Sequence, residues 1–165
     1  MQESDLGVIK KGAFQGLTHV TNLNIINNKI DAIESLVIRA VNKVRTLRFH
    51  GNHLLETPSA SALVIEGVDN LSVINNHFPC DCHLHTLLAS SLANTSDFKT
   101  RNFCISPLEV NGRAIATLDL DSIGRCSDRT TKDTLEGSIG SGGDALSSPL
   151  SGQLFLLLVI RLLMS

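Results

Sequence analysis

Four cysteines, a handful of histidines and a recurring asparagine are the residues of this 165-residue chain with chemistry to offer. Cys80, Cys82, Cys104 and Cys126 all lie in the second half, so they serve one local unit. His83 and His85 stand close to the first two. Thiolate sulfur and imidazole nitrogen together can hold zinc. Structural zinc, however, usually takes a Cys-x2-4-Cys spacing, and the gaps here are unlike a finger or a ribbon. The histidines are therefore read as solvent-facing, and no metal is expected. The cysteines read as bridges rather than nucleophiles. Four cysteines allow three pairings; Cys80 and Cys82 cannot easily join each other within an extended segment.

No enzyme constellation stands out. The chain has no Gly-x-Ser-x-Gly and no phosphate loop. Asp119 and Asp121 flank Leu120 and read as solvated surface. The chain is not expected to be an enzyme, and no cofactor is expected. Fourteen basic and 16 acidic residues leave a formal charge of -2, which gives no reason to expect nucleic acid. Without Trp or Tyr, a stacking platform for bases is not expected either.

The elements that would position these residues are repeats. Val20-Thr-Asn-Leu23-Asn-Ile25 aligns with Val44-Arg-Thr-Leu47-Arg-Phe49 at a shift of 24, and again with Val68-Asp-Asn-Leu71-Ser-Val73. The same shift relates Asn28, Asn52 and Asn76, and then Ile30, Leu54 and Phe78. Alternation of apolar and polar residues predicts short strands with one buried face. Strands this short must stack on their equivalents and share a continuous core. The three asparagines, each just after a strand, are expected to satisfy backbone groups in a turn and to form a ladder of their own.

This pattern resembles the leucine-rich repeat of extracellular proteins, with its Leu-x-x-Leu-x-Leu-x-x-Asn-x-Leu core. The segment Phe78-Pro-Cys80-Asp-Cys82, Cys104-Ile-Ser-Pro107 and the single Cys126 resemble that family's C-terminal flanking cap. The resemblance implies an α/β fold: a leucine-rich repeat solenoid with short parallel β-strands on its concave side, closed by a small disulfide-linked helical cap. It implies the pairings Cys80–Cys104 and Cys82–Cys126. Residues 1–77 would be about three repeats, the first incomplete and lacking its strand, and 78–126 the cap. A chain that is a C-terminal fragment of a longer protein is expected.

Residues 127–153 are Ser, Gly, Thr or Pro at 15 of 27 positions and read as a flexible linker. Residues 154–164 are apolar except for Arg161. Ser141, Gly142 and Gly143, then a polar spacer, then this tail have the layout of a glycosylphosphatidylinositol (GPI) attachment signal, with Ser141 as the attachment point. Asn70-Leu-Ser72 and Asn94-Thr-Ser96 match the glycosylation pattern at Asn70 and Asn94.

A cell-surface or secreted location, GPI-anchored or free, is thus expected. The expected role is recognition or adhesion through an extracellular or membrane protein, or a glycan. The concave face of the strands would carry it through Asn24, Ile26, Arg48, His50, Ser72 and Ile74, with Arg48 as the best anchor. Two alternatives stand beside it: a structural matrix protein and an intracellular repeat adaptor.

Overall fold

The structure, a computed structural model, describes residues 1–18 and 20–126. The expected linker at 127–153, the tail at 154–164 and Ser141 lie outside the described residues. Among the described residues no helix is long and apolar enough to cross a membrane.

Short alternating segments build three parallel sheets. β2 (Asn22–Ile26), β5 (Thr46–His50) and β8 (Asn70–Ile74) form the first. Their register is the shift of 24 seen in the sequence: Leu23 pairs with Leu47 and Leu47 with Leu71. Leu23, Ile25, Leu47, Phe49 and Val73 point inward and are buried, while Asn22, Asn24, Arg48 and Asn70 face out. Burying each such apolar side chain stabilises by roughly 1.5–3 kcal/mol, which is how so short a strand is held.

After each strand the chain turns a corner. Asn27, Gly51 and Asn75 occupy it with φ of 53°, 66° and 58°, in the left-handed region that Gly and Asn tolerate best. The chain then enters a second sheet of five strands in the order β1 (Asp5–Ile9), β3 (Lys29–Ile33), β6 (His53–Leu54), β9 (His77–Pro79) and β10 (Phe103–Ser106). Ile30, Leu54 and Phe78 are its fully buried inward row. A third sheet pairs β4 (Leu36–Ile38) with β7 (Leu63–Ile65). Single 3-10 turns at Ala40–Asn42 and Ala60–Ala62 complete two of the coils.

This corrects the expected fold. There are three separate parallel sheets, not one curved sheet, and no β–α repeat unit occurs among the described residues. The physical reason lies behind the first strands. Leu36-Val37-Ile38 and Leu63-Val64-Ile65 are short, β-branched runs that pair with each other rather than coil into helix. The leucine-rich repeat solenoid expected from the resemblance is accordingly not what the sheets and turns build.

Ahead of the first coil's rear half, Met1–Glu3 run beside the end of β2 without forming a strand. Gln2 bridges Ile26 in parallel, and the Ile26 N–H donates to the Met1 carbonyl at 3.0 Å. Ser4 stands 24 residues before Asn28 and donates its N–H to Asn28 Oδ1 at 3.2 Å.

The far end is closed by short pieces. α1 (Leu84–Leu88) buries Leu84 and Leu87, and α2 (Phe98–Arg101) buries Phe98 with its ring 5.7 Å from that of Phe78. These helices are five and four residues long, so the closing segment is held by strand pairing and bridges more than by helix packing. β10 pairs with β9, matching Cys104 to Phe78. The Cys80–Cys104 bond sits against this pair with its Cα atoms 5.4 Å apart. The Cys82–Cys126 bond, with Cα atoms 4.9 Å apart, ties the end of the described chain to the residues preceding α1.

Candidate functional site

The expected binding residues form rows on the outer face of the first sheet. Asn24, Arg48 and Ser72 are aligned across the three strands, as are Ile26, His50 and Ile74. Asn24 and Arg48 are exposed and the other four are half-buried. His50 Nε2 lies 2.8 Å from Ser72 Oγ. Burial, followed by the nearby charges of Arg48 and Arg101, lowers the His50 pKa from its ordinary value. Asn70 and Asn94 are both exposed, the first at the start of β8 and the second after a 3-10 turn at Ser91–Ala93.

Asn28, Asn52 and Asn76 are buried and joined end to end. Asn52 Oδ1 accepts from the Asn28 backbone N–H at 3.0 Å and from its Nδ2 at 3.1 Å. Asn76 Oδ1 accepts from the same two donors of Asn52. One further member escaped the sequence reading. Asn102 Oδ1 accepts from the Asn76 N–H at 3.0 Å and its Nδ2 at 2.9 Å. The step to it is 26 residues rather than 24, so a strict period passes over it. The available signal was its position two residues before Cys104, immediately ahead of the apolar strand β10.

Chemistry gathers elsewhere, at the residues preceding α1. Cys82, His83 and Cys126 bring one ligand atom each within 4.8 Å of one another. Cys82 Sγ is 3.9 Å from His83 Nδ1. The same nitrogen lies 3.4 Å from Asp81 Oδ1, and that carboxylate oxygen also accepts the His83 backbone N–H at 2.9 Å. Asp81 thus holds the His83 main chain, and its carboxylate lies against the same Nδ1 that faces Cys82 Sγ. The Cys126 end is brought up by His85, whose Nε2 lies 2.8 Å from the Ile123 carbonyl oxygen.

Two sulfurs joined in a disulfide are not thiolates, so in this oxidised form the three residues are not a ligand set. The donors fit a zinc-class ion once the bond is reduced. A tetrahedral ion with Zn–S of about 2.3 Å and Zn–N of about 2.0 Å holds sulfur and nitrogen roughly 3.5 Å apart. The Cys82–His83 separation is already near that. The sulfurs would need to part to roughly 3.8 Å.

The surroundings of the two bridges differ. Cys80 and Cys104 are 3% and 0% exposed, whereas Cys82 and Cys126 are half-buried beside an exposed histidine. In the chain-entropy description, closing separations of 24 and 44 residues stabilises by about 3.5 and about 4 kcal/mol. That difference is too small to set the order of reduction. Access to the sulfur decides it instead.

These facts correct the expectation of a chain with no chemistry-bearing constellation. His83 is exposed, as expected, and also lies near two cysteines 44 positions apart in sequence. The expectations that the chain is not an enzyme and holds no chemical centre are withdrawn on this cluster.

No family model, curated protein or solved structure matches the chain. The leucine-rich repeat assignment thus has neither a match nor the expected sheet behind it. The role in recognition or adhesion and the extracellular, anchored location were drawn from that resemblance and from a tail outside the described residues. Both are withdrawn with it, in favour of the thiol–imidazole centre.

Proposed function

We propose that Cys82, His83 and Cys126 form a thiol–disulfide switch that binds a zinc-class ion in its reduced state. Oxidised, the pair staples the last described residues to the residues before α1. Reduced, it offers two thiolates and an imidazole, with water completing the coordination. The observation that carries this is the convergence of three donor atoms within 4.8 Å at the more accessible of the two bridges.

The exchange balances with an external dithiol. One of its thiolates attacks a sulfur of the Cys82–Cys126 bond and forms a mixed disulfide, releasing the other cysteine as a thiolate. The second thiol of the reductant then attacks the mixed disulfide. The reductant leaves as a disulfide, and the protein gains two electrons and two protons. Binding of the metal ion releases those protons again.

The test is graded reduction with differential alkylation and peptide mapping, followed by zinc titration. Cys82 and Cys126 should be labelled well before Cys80 and Cys104. The selectively reduced protein should then bind one zinc ion that the oxidised protein does not hold at this place. His83→Ala should weaken binding by at least about tenfold, since it removes a ligand. Reduction of Cys80–Cys104 first, or a reduced protein with no more zinc than the oxidised one, would contradict the proposal.

A further inference from the structure

A second cluster lies on the outer face of the five-stranded sheet. Asp5, Lys29, His53, His77 and Phe103 occupy one row across it: Asp5 pairs with Lys29, Lys29 with His53, His53 with His77, and His77 with Phe103. The imidazole centroids of His53 and His77 are 4.5 Å apart with the planes tilted by 47°. Phe103 stacks on the far side of His77 at 5.6 Å. His77 Nδ1 is shielded and has no hydrogen-bond partner. The Lys29 ammonium is taken up by Asp5 at 3.0 Å and Asp31 at 3.3 Å. The ammonium of Lys29, the residue paired with His53, is thus neutralised by carboxylates.

We infer that His53 and His77 form a bidentate site for a divalent first-row transition ion, open on the side of His53. Parallel strands stand ~4.8 Å apart, so directly paired residues present their side chains side by side. Two nitrogens bound at about 2.0 Å to one ion at a right angle lie roughly 3 Å apart, within reach of two rings whose centroids are this close. Neutral imidazole suits Zn, Ni and Cu, and water fills the remaining positions. Phe103 limits the travel of the His77 ring. His53 is exposed and lines a shallow groove of about 480 Å³ with Lys29, Leu55 and Ile105, which gives the ion its way in.

This site needs no free thiol, so its test is independent of the switch. The full chain is kept fully oxidised, with both disulfides verified by the absence of alkylation. It is then titrated with Zn(II) by equilibrium dialysis and elemental analysis, and with Ni(II) while imidazole proton signals are recorded. Zn(II) should bind with a component that His53→Gln weakens by at least about tenfold, the least that losing a ligand should cost. Ni(II) should broaden the His53 and His77 ring signals before those of His50, His83 and His85. His77→Gln should give the same loss; because that variant could misfold, the exposed His53→Gln decides the matter, with its unfolding midpoint confirming an intact fold. Zinc binding unchanged in His53→Gln, or a loss of equal size in His50→Gln, would overturn the assignment.

Discussion

A single amide does several tasks at each step of the asparagine ladder. Asn52 is fully buried; its Nδ2 donates to the Ile25 carbonyl at 2.9 Å and to Asn76 Oδ1, and its Oδ1 accepts two bonds from Asn28. Leucine at this position would leave the Asn28 N–H and the Ile25 carbonyl without partners in a place water does not reach. Each orphaned group costs about 1–3 kcal/mol, so Asn52→Leu should lower stability by at least about 2 kcal/mol. Asn102→Leu should behave alike, since its Nδ2 also holds the Val73 and Phe98 carbonyls at 2.8 Å. Urea unfolding midpoints check both; an unchanged midpoint would place the residue outside the ladder.

Two histidines set a pH dependence at the same scale. His77 is lowered by burial and then by the neighbouring charge of His53; His50 is lowered by burial and then by Arg48 and Arg101. A folded pKa below the unfolded one means that the unfolded chain takes up the proton first. Stability should therefore fall as pH drops below about 6.5, and level off once pH is under the folded values. Unfolding midpoints measured from pH 8 to pH 5 in the presence of a chelator should show this fall. Replacing His77 with Gln should reduce its size.

Among the elements, the turns carry constraints that the strands do not. Gly67 enters β8 from the turn after β7 with φ of 68°. A Cβ there would come within 2.7 Å of the Ala40 Cα, a backbone atom of the preceding coil that cannot swing aside. Gly67→Ala combines the left-handed penalty of about 1–2 kcal/mol with that clash. It should lower the melting temperature by several degrees or more. A melting temperature equal to wild type would mean the coils are spaced more loosely at Ala40 than they stand here.

At the scale of the whole molecule, what the sequence made legible follows from what repeats. Leu23, Leu47 and Leu71, with Asn28, Asn52 and Asn76, recur at the interval that the strands use as their pairing register. The rear of each coil was less readable, because an apolar triplet such as Leu36–Ile38 is too short to show its period. Met1–Ser4 pair through backbone groups, which polar residues like Gln2 and Ser4 do not advertise. The thiol centre was legible in part, because the resemblance implied the Cys82–Cys126 bond and His83 adjoins Cys82. Cys126, however, reaches them only after α1, α2 and β10 have folded the chain back, and local spacing carries no trace of that return.

The most direct measurement of the switch is X-ray absorption at the zinc edge, on protein reduced only at Cys82–Cys126 and loaded with one equivalent of zinc. Two sulfur ligands at about 2.3 Å and an imidazole nitrogen at about 2.0 Å are predicted, with one sulfur lost in Cys126→Ser and the imidazole lost in His83→Ala. A first shell of oxygen and nitrogen alone, or a spectrum unchanged in Cys126→Ser, would contradict the account.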